Sequence, residues 1–272
     1  MTGATASFSF PCYRRLFRHL GETDAMVELT ELASRYFLSA ARRSGDVPAF
    51  LSSATMEHGV CVNLAEVECL SRHLVRTYIV IVGSAVERFL KEFRKEHIAL
   101  YRKEWIGDRD KKDRLHLAFE NLVGSRIEGE NQIGIDLVSR FQYYRNLRNW
   151  VVHEKESNLE EPQERFNAII PYSQEHQKMF QRLAAPNQPD SLAFDDFLLF
   201  SRLTKLVAEK MCLIAAPPSE HWTKCGEFRK YKKLQKNPNR MRNAISGKLR
   251  TDYGMDEPTA RWIAGNIYDS LA

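Results

Sequence analysis

The feature that most constrains the fold is a long run of apolar residues at helical spacing in the first half of the chain. A helix is predicted over about 63–105, because apolar side chains recur there every three or four positions. These residues are Leu64, Val67, Leu70, Leu74, Tyr78, Ile81, Ala85 and Phe89. Between Tyr78 and Val86 the sequence is apolar all round. This section is therefore expected to be buried on more than one side, as in the central helix of a bundle.

The rest of the chain also favours helices over strands. Short alternating β-branched runs bounded by turns are hard to find, so the expected fold class is all-α. Thr23 or Asp24 is the expected N-cap of the first helix, and a glycine-containing loop is expected through Gly129 and Gly134. The other predicted helices cover about 23–43, 108–122, 133–153, from 161 onward with a break at Pro171, 190–214 and 257–271.

Positive charge is concentrated near the C-terminus. The 272-residue chain has a formal net charge of +5. Between Lys224 and Arg250 there are ten Lys or Arg residues and a single acid, Glu227, which is a net charge of +9 and leaves −4 for the remainder. This asymmetry favours either contact with a polyanion or a solvated charged tail.

The same change in charge predicts a domain boundary. Pro217 and Pro218 end the preceding helix where the strongly basic sequence begins. We therefore predict a helical domain over 1–216 and a basic, mainly helical C-terminal extension over 217–272.

The basic extension contains aromatic residues interleaved with cations. Residues 228–233 are Phe-Arg-Lys-Tyr-Lys-Lys, a mixture suited to phosphate contact and base stacking. An amphipathic segment that contacts a protein or a membrane surface is the alternative. The RNA-binding residues predicted in this segment are Arg229, Lys230, Lys232 and Lys233.

Composition and motifs exclude several classes of protein. The longest apolar run, residues 78–86, is about half of the roughly twenty residues that a membrane-spanning helix needs, so no membrane contact through a span is expected. Five scattered cysteines and an N-terminus without the pattern of a secretory signal predict a cytoplasmic location. Because zinc, Walker and dinucleotide motifs are lacking, no metal and no cofactor are expected.

The predicted helix over 133–153 contains a compact polar motif. On a helical wheel of about 100° per residue, its apolar stripe falls between about −40° and +80°. Arg148, Arg145, Asn149 and His153 lie at about 60°, 120°, 160° and 200°; Arg148 is at the edge of the stripe, and the polar set as a whole is expected on a neighbouring face that the core does not occupy. The members of the apolar stripe are Ile133, Leu137, Phe141, Tyr144, Leu147 and Val151.

An arginine and a histidine held close together can break a phosphodiester. The guanidinium neutralises phosphate charge, and imidazole transfers protons near neutral pH. RNA supplies its own nucleophile, the 2′-hydroxyl. One His153 cannot deprotonate this hydroxyl and protonate the leaving 5′-oxygen at the same instant, so the chemistry favours a homodimer in which two motifs face each other.

The sequence Arg148-Asn149-x-x-x-His153 resembles the Arg-x(4–6)-His motif of the HEPN superfamily of ribonucleases. HEPN domains are helical bundles whose last core helix bears the motif after a long buried helix, and this architecture resembles residues of about 60–215. The resemblance implies metal-independent RNA cleavage at a composite site of two protomers, with a 2′,3′-cyclic phosphate product. It also implies a supporting residue on the long helix, for which Glu87 is the candidate; an i,i+4 pair with Lys91 is the alternative.

Each motif residue also has a purely structural interpretation. His153 would be favoured at a helix C-terminus by the helix dipole alone. Asn149 either orients phosphate or His153, or is an ordinary surface residue. Arg145 either binds the RNA backbone or pairs with a nearby acid.

The resemblance further implies a biological setting. HEPN ribonucleases commonly act in bacterial toxin, abortive-infection and other antiviral defence systems, so tRNA or mRNA is the expected substrate and an inhibitory antitoxin or regulator is a further expected partner. The competing hypothesis is a non-catalytic HEPN-like module that binds RNA or a protein.

Overall fold

The chain folds into α-helices. The computed structural model describes residues 8–61, 69–107, 113–153, 160–181, 183–224 and 226–271, and these residues form no β-strand, as predicted. The α-helices are α1 (Pro11–Arg43), α2 (Val47–His58), α3 (Leu70–Tyr101), α4 (Arg114–Val123), α5 (Arg126–Ile133), α6 (Ile135–Val152), α7 (Glu160–Ile169), α8 (Ser173–Phe180), α9 (Phe194–Ile214), α10 (Ser219–Lys224), α11 (Pro238–Tyr253) and α12 (Glu257–Leu271). Short 3-10 helices are formed by Ile170–Tyr172 and Arg229–Leu234. In the part of the chain described, no helix has both the length and the apolar character needed to cross a membrane.

The chain divides into two compact units, each built from segments that are distant in sequence. The motif unit comprises residues 18–85 and 136–204. The terminal unit comprises residues 1–17, 86–135 and 205–272. The unit boundaries fall within α1, α3, α6 and α9, so each of these helices contributes residues to both units.

The C-terminal residues belong to the core of the terminal unit. Tyr253 stacks on Phe8 with ring centroids 5.8 Å apart, and it meets Trp222 at 4.8 Å. The Ser9 N–H donates to the Tyr253 carbonyl at 2.8 Å. The two units differ from the predicted division into 1–216 and 217–272, because Trp222 and Tyr253 of the C-terminal segment pack with Phe8 of the N-terminal segment. The buried apolar side chains of α11 form an i,i+4 row, Met241, Ile245, Leu249 and Tyr253.

The segment predicted as a glycine-containing loop is mainly helix α5. The Ser125 hydroxyl accepts a hydrogen bond from the Glu128 N–H at 3.1 Å and caps the helix. Gly134, with φ of 113°, ends it. Gly129 allows α4 to approach closely, since a Cβ atom there would lie only 2.3 Å from Cγ of Phe119. This glycine is therefore a helix-packing position.

Helix α9 joins the other long helices of the motif unit. Its Phe197 ring lies 5.6 Å from that of Tyr78 on α3, and its Phe200 ring stacks at 5.2 Å on Tyr144 of α6. The α9 hydroxyl of Ser201 donates to Asp24 of α1 at 2.7 Å. The position of the motif helix in this unit thus depends on α9.

The long helix α3 is buried on several sides but not all round. Tyr78, Ile79 and Val82 are buried, whereas Ile81 is 36% exposed and Ser84 is exposed. The middle section of α3 is therefore buried on more than one side, as expected, and has one exposed face. The predicted start of the helix near residue 63 lies outside the described residues.

Several other predicted helix ends are confirmed. Helix α12 covers Glu257–Leu271 as predicted, and the expected break at Pro171 is the 3-10 helix Ile170–Tyr172. Helix α4 begins at Arg114; its predicted start near residue 108 lies outside the described residues.

Candidate functional site

Helix α6 places the Arg-Asn motif at its C-terminal end. Most of its predicted apolar stripe is buried, which fixes the rotation of the helix in the motif unit. Ile133 is buried but ends the preceding helix, and Val151 is half-buried. The buried stripe residues on α6 itself are Leu137, Phe141, Tyr144 and Leu147.

More of α6 is buried than the wheel predicted, and Arg145 is the main correction. This residue is only 8% exposed; its Nη1 donates to Oε1 of Gln142 at 3.0 Å, and its guanidinium carbon lies 6.0 Å from the Phe141 ring centroid. The prediction that Arg145 lies on an unoccupied face is wrong, because neighbouring side chains bury it. A further helix, α7, packs on another face of α6, where the rings of Tyr143 and Phe166 meet at 5.8 Å. We propose no RNA contact for Arg145.

The Arg148 side chain lies against α3 at Gly83. A Cβ atom on Gly83 would lie 2.5 Å from Cγ of Arg148 and 3.1 Å from its Cβ, so a larger residue requires the arginine to move. The Arg148 Nη1 donates to Oδ1 of Asn149 at 3.0 Å. Its Nε is buried and makes no hydrogen bond within the described residues. Packing therefore fixes the aliphatic part of Arg148, and the half-buried guanidinium lies at the surface.

Asn149 connects the other two residues of the motif. Its side chain accepts the Arg148 hydrogen bond, and its carbonyl accepts the N–H of His153 at 3.1 Å. Asn149 and His153 are both exposed, as the wheel predicted. The side chains of Arg148 and Asn149 are thus joined at the C-terminal end of α6, and the backbone hydrogen bond places His153 directly after the helix.

Arg76 of α3 is a second cation near this end of α6. Its guanidinium carbon lies 5.2 Å from the Trp150 ring centroid, within the range of a cation–π interaction. Sequence reasoning missed this residue, because no local pattern relates positions 76 and 150. The sequence did contain one signal that another helix approaches this part of α3, namely Gly83. A glycine within an apolar helix often marks close approach of another backbone or side chain.

Glu87 has a partner that neither sequence interpretation included. Its Oε2 accepts a hydrogen bond from Nη1 of Arg114 at 2.7 Å, which links α3 to α4 within the terminal unit. This ion pair takes the place of the i,i+4 pair with Lys91, and the supporting catalytic role of Glu87 stays a prediction.

The cations predicted to bind RNA in the C-terminal segment are all exposed. They lie on the 3-10 helix Arg229–Leu234, which is anchored by the buried Phe228 ring at 6.2 Å from Trp222. The Nζ of Lys230 lies 5.4 Å from the Tyr231 ring centroid. We call the four exposed cations the basic surface: Arg229, Lys230, Lys232 and Lys233.

Metal sites and known relatives give no further indication of function. Within the described ranges, no group of three His, Cys, Asp or Glu side chains is placed to hold a metal ion. No protein family, curated protein or solved structure matches the chain. The function is therefore inferred from the residues of the site.

Proposed function

We propose that the chain is a metal-independent endoribonuclease in which Arg148 and His153 are catalytic and Asn149 supports them. The observation that supports this most is the fixed position of Arg148, packed on Gly83 and hydrogen-bonded to Asn149 at 3.0 Å. Donors that are already in position stabilise developing negative charge more effectively than mobile ones. The motif unit thus combines a fixed guanidinium with an exposed imidazole.

In the proposed reaction the RNA 2′-oxygen attacks the adjacent phosphorus. His153 of one protomer takes the 2′-hydroxyl proton, and the second copy of His153 donates a proton to the 5′-oxygen as the bond from phosphorus to that oxygen breaks. Arg148 stabilises the charge on the pentacoordinate phosphate. The products are a 2′,3′-cyclic phosphate and a free 5′-hydroxyl, and no external water or metal is consumed.

The outer edge of the Arg148 guanidinium is open to an anionic ligand, since its Nη1 hydrogen bond to Asn149 is exposed. An RNA phosphate there would add charge-assisted hydrogen bonds to this side chain. Arg76, on the neighbouring helix, adds positive charge for the same polyanion.

Helix α1 provides an exposed apolar surface that supports self-association. Its large apolar residues recur every three or four positions, so they lie on one face of the helix. A contiguous exposed apolar surface commonly marks an interaction site. We call this surface the α1 stripe; its residues, each 67–71% exposed, are Met26, Leu29, Leu32 and Tyr36.

A second copy of α1 fits the α1 stripe. In an antiparallel pair with the two-fold axis beside Leu32, Leu29 lies opposite Tyr36 of the second copy. The same register places exposed Glu22 opposite Arg43, so opposite charges meet at both ends of the pair. Because α1 from residue 18 onward belongs to the motif unit, this pairing places two copies of the motif in one particle.

Replacing Leu29 and Leu32 together by glutamate is expected to convert a dimer into a monomer. Both residues are on the surface, so charge at these positions opposes association and leaves the fold intact. Light scattering after size exclusion should show the mass halved, while Ile127→Glu, at a 71% exposed residue outside the α1 stripe, keeps the dimer mass. A wild-type protein that is monomeric at all concentrations would refute this interface.

Replacing Gly83 by alanine is expected to lower RNA cleavage by about 10- to 100-fold, because small displacements of a catalytic group have effects of this size. The new Cβ would meet the Arg148 side chain at 2.5 Å and move the guanidinium. Gly21→Ala is the matched control, since this glycine is also in a helix of the motif unit and its Cβ would meet nothing within 4 Å. Equal cleavage rates for the two variants, measured at saturating RNA, would show that the position of Arg148 is unimportant.

The basic surface is proposed to bind the RNA backbone. Replacing Lys230 and Lys232 by glutamine is expected to weaken RNA binding and to reduce the slope of log affinity against log salt concentration by about 2, since each lysine contributes about 1. Fluorescence anisotropy at several salt concentrations measures both quantities. Lys178→Gln, at an exposed lysine outside this surface, is the control. An unchanged slope would show that these lysines do not contact phosphate.

The activity itself is tested by incubating the purified protein with total RNA, tRNA and mRNA in EDTA. An active ribonuclease is expected to produce fragments with 2′,3′-cyclic phosphate ends. RNA that stays intact across several substrates and activating conditions would instead favour the second candidate function, RNA or protein binding without cleavage, which the exposure of the basic surface supports. For the active enzyme we propose a role in a bacterial defence or toxin system.

A further inference from the structure

A cavity of about 230 Å³ lies in the terminal unit, between α3 and α4. Four cations line it: Lys91, Arg94 and Lys95 from α3, and Arg114 from the first turn of α4. Arg114 is paired with Glu87 at 2.7 Å. Lys91 and Lys95 have no ion pair among the described residues, although they are like charges one helical turn apart and repel each other. The cavity therefore concentrates positive charge that an anion would neutralise.

Aromatic and aliphatic side chains form another wall of the cavity. Trp105 is 8% exposed, and its Nε1 donates to Nδ1 of His97 at 3.0 Å. Burial lowers the pKa of His97 to about 4, so its ring is neutral at pH 7 and accepts this hydrogen bond. The Arg94 guanidinium carbon lies 5.7 Å from the indole centroid, and Ile98 and Leu117 add aliphatic surface. The indole plane is thus held in one orientation at the cavity.

A ligand of this cavity must combine negative charge with an apolar or aromatic body. Inorganic anions would leave the tryptophan wall without contact, and neutral aromatic molecules would leave the lysines without a counter-charge. The volume is below the roughly 300–1,000 Å³ of typical drug-sized sites, which favours one small group over a continuous strand. A single nucleotide meets these requirements, with its phosphate on the lysines and its base against the indole wall.

We propose that this cavity binds one nucleoside 5′-phosphate group through Lys91, Lys95 and the wall that contains Trp105. The group is either a free nucleotide or the 5′-phosphorylated terminal nucleotide of an RNA. The inference does not depend on the motif at residues 148–153, because every lining residue belongs to the terminal unit. Occupancy of the cavity and RNA cleavage are therefore separate properties.

Calorimetric titration of the full chain tests this assignment. The probes are AMP, ATP, adenosine, inorganic phosphate, and a trinucleotide with either a 5′-phosphate or a 5′-hydroxyl, with the active site inactivated by His153→Ala so that RNA is not cut. AMP or ATP is expected to bind more tightly than adenosine or phosphate by about 10-fold or more, since both parts of the ligand contribute. Tighter binding of the 5′-phosphorylated trinucleotide than of AMP assigns the site to RNA ends, and the reverse order assigns it to free nucleotides.

Matched lysine variants separate the cavity from general surface charge. Lys91→Gln with Lys95→Gln is expected to raise the nucleotide Kd by about 10-fold or more, the effect of losing charge-assisted hydrogen bonds. Lys178→Gln with Lys224→Gln removes two exposed lysines elsewhere and is expected to leave the Kd unchanged. The proposal is overturned if no nucleotide binds saturably, if phosphate binds as tightly as AMP, or if both double variants have the same Kd.

Discussion

Replacing His153 by alanine is expected to lower the rate of RNA cleavage by about 100- to 10,000-fold, the contribution typical of a general acid or base. The residue is exposed and follows the last residue of α6, so its removal is not expected to disturb packing. If His153 were only a cation favoured by the helix dipole, its loss would cost about 0.3–1 kcal/mol of stability and leave chemistry unaffected. The two interpretations thus predict different observables.

His58 provides a matched control for the dipole interpretation. It is an exposed histidine in the last turn of α2, also within the motif unit. His58→Ala should reproduce any effect of losing a C-terminal helix cation while leaving RNA cleavage intact. Single-turnover rates and thermal melting of both variants make the comparison, and equal cleavage by His153→Ala and His58→Ala would remove the catalytic assignment.

The second large expected effect is on stability. Asp196 is fully buried, and its two carboxylate oxygens accept hydrogen bonds from the Tyr144 hydroxyl at 2.7 Å, the Asn187 N–H at 2.9 Å, the Asn187 side chain at 2.8 Å and the Ala193 N–H at 2.8 Å. Burial raises the pKa of this carboxyl, and the hydrogen bonds oppose that rise. Because Tyr144 lies one turn before Arg148, this carboxylate also ties the motif helix to α9.

Asp196→Ala is expected to lower the free energy of unfolding by about 3–5 kcal/mol, since several buried donors lose their acceptor at once. The adjacent Asp195 is a suitable comparison: it is half-buried and accepts one hydrogen bond, from the Ala184 N–H at 2.8 Å. Asp195→Ala should cost no more than about 1.5 kcal/mol. Urea unfolding at pH 7 measures both variants, and equal losses of stability would show that the Asp196 network contributes little.

Local sequence patterns predicted the helices better than their ends. Helix α1 begins at Pro11, twelve residues before the predicted start at Thr23. Thr and Asp are common N-caps, but inside the helix the Thr23 hydroxyl donates to the His19 carbonyl at 2.8 Å and Asp24 accepts from Ser201 of α9. A Thr or Asp side chain that makes such hydrogen bonds inside a helix cannot be distinguished from an N-cap by sequence alone.

The C-terminal segment contains a helix of the core, α11, although its net charge is strongly positive. Its net positive charge predicted an extension, yet Asn237 caps α11 by accepting from the Arg240 N–H at 3.0 Å, and Gly254 ends it with φ of 61°. These end signals, together with the i,i+4 apolar row on α11, were present in the sequence. The prediction of an extension relied on net charge and did not use these signals.

The candidate site was predictable only in part. The spacing of Arg148, Asn149 and His153 depends on one helix, and the structure places the first two at its C-terminal end and His153 directly after it. The contacts of Arg148 with Gly83 and of Trp150 with Arg76 join residues more than sixty positions apart. Helical periodicity contains no information about which face of α3 meets α6. These contacts could therefore be identified only from the three-dimensional structure.

The most direct test of the account is single-turnover cleavage, in EDTA, of an RNA oligonucleotide and of the same oligonucleotide with a 2′-deoxy nucleotide at the cut position. The wild-type protein is expected to cut only the oligonucleotide with the 2′-hydroxyl, and His153→Ala is expected to cut it at least about 100-fold more slowly. Cleavage of the 2′-deoxy oligonucleotide at the same rate, or an unchanged rate for His153→Ala, would contradict the assignment of Arg148 and His153 as the catalytic residues of a ribonuclease.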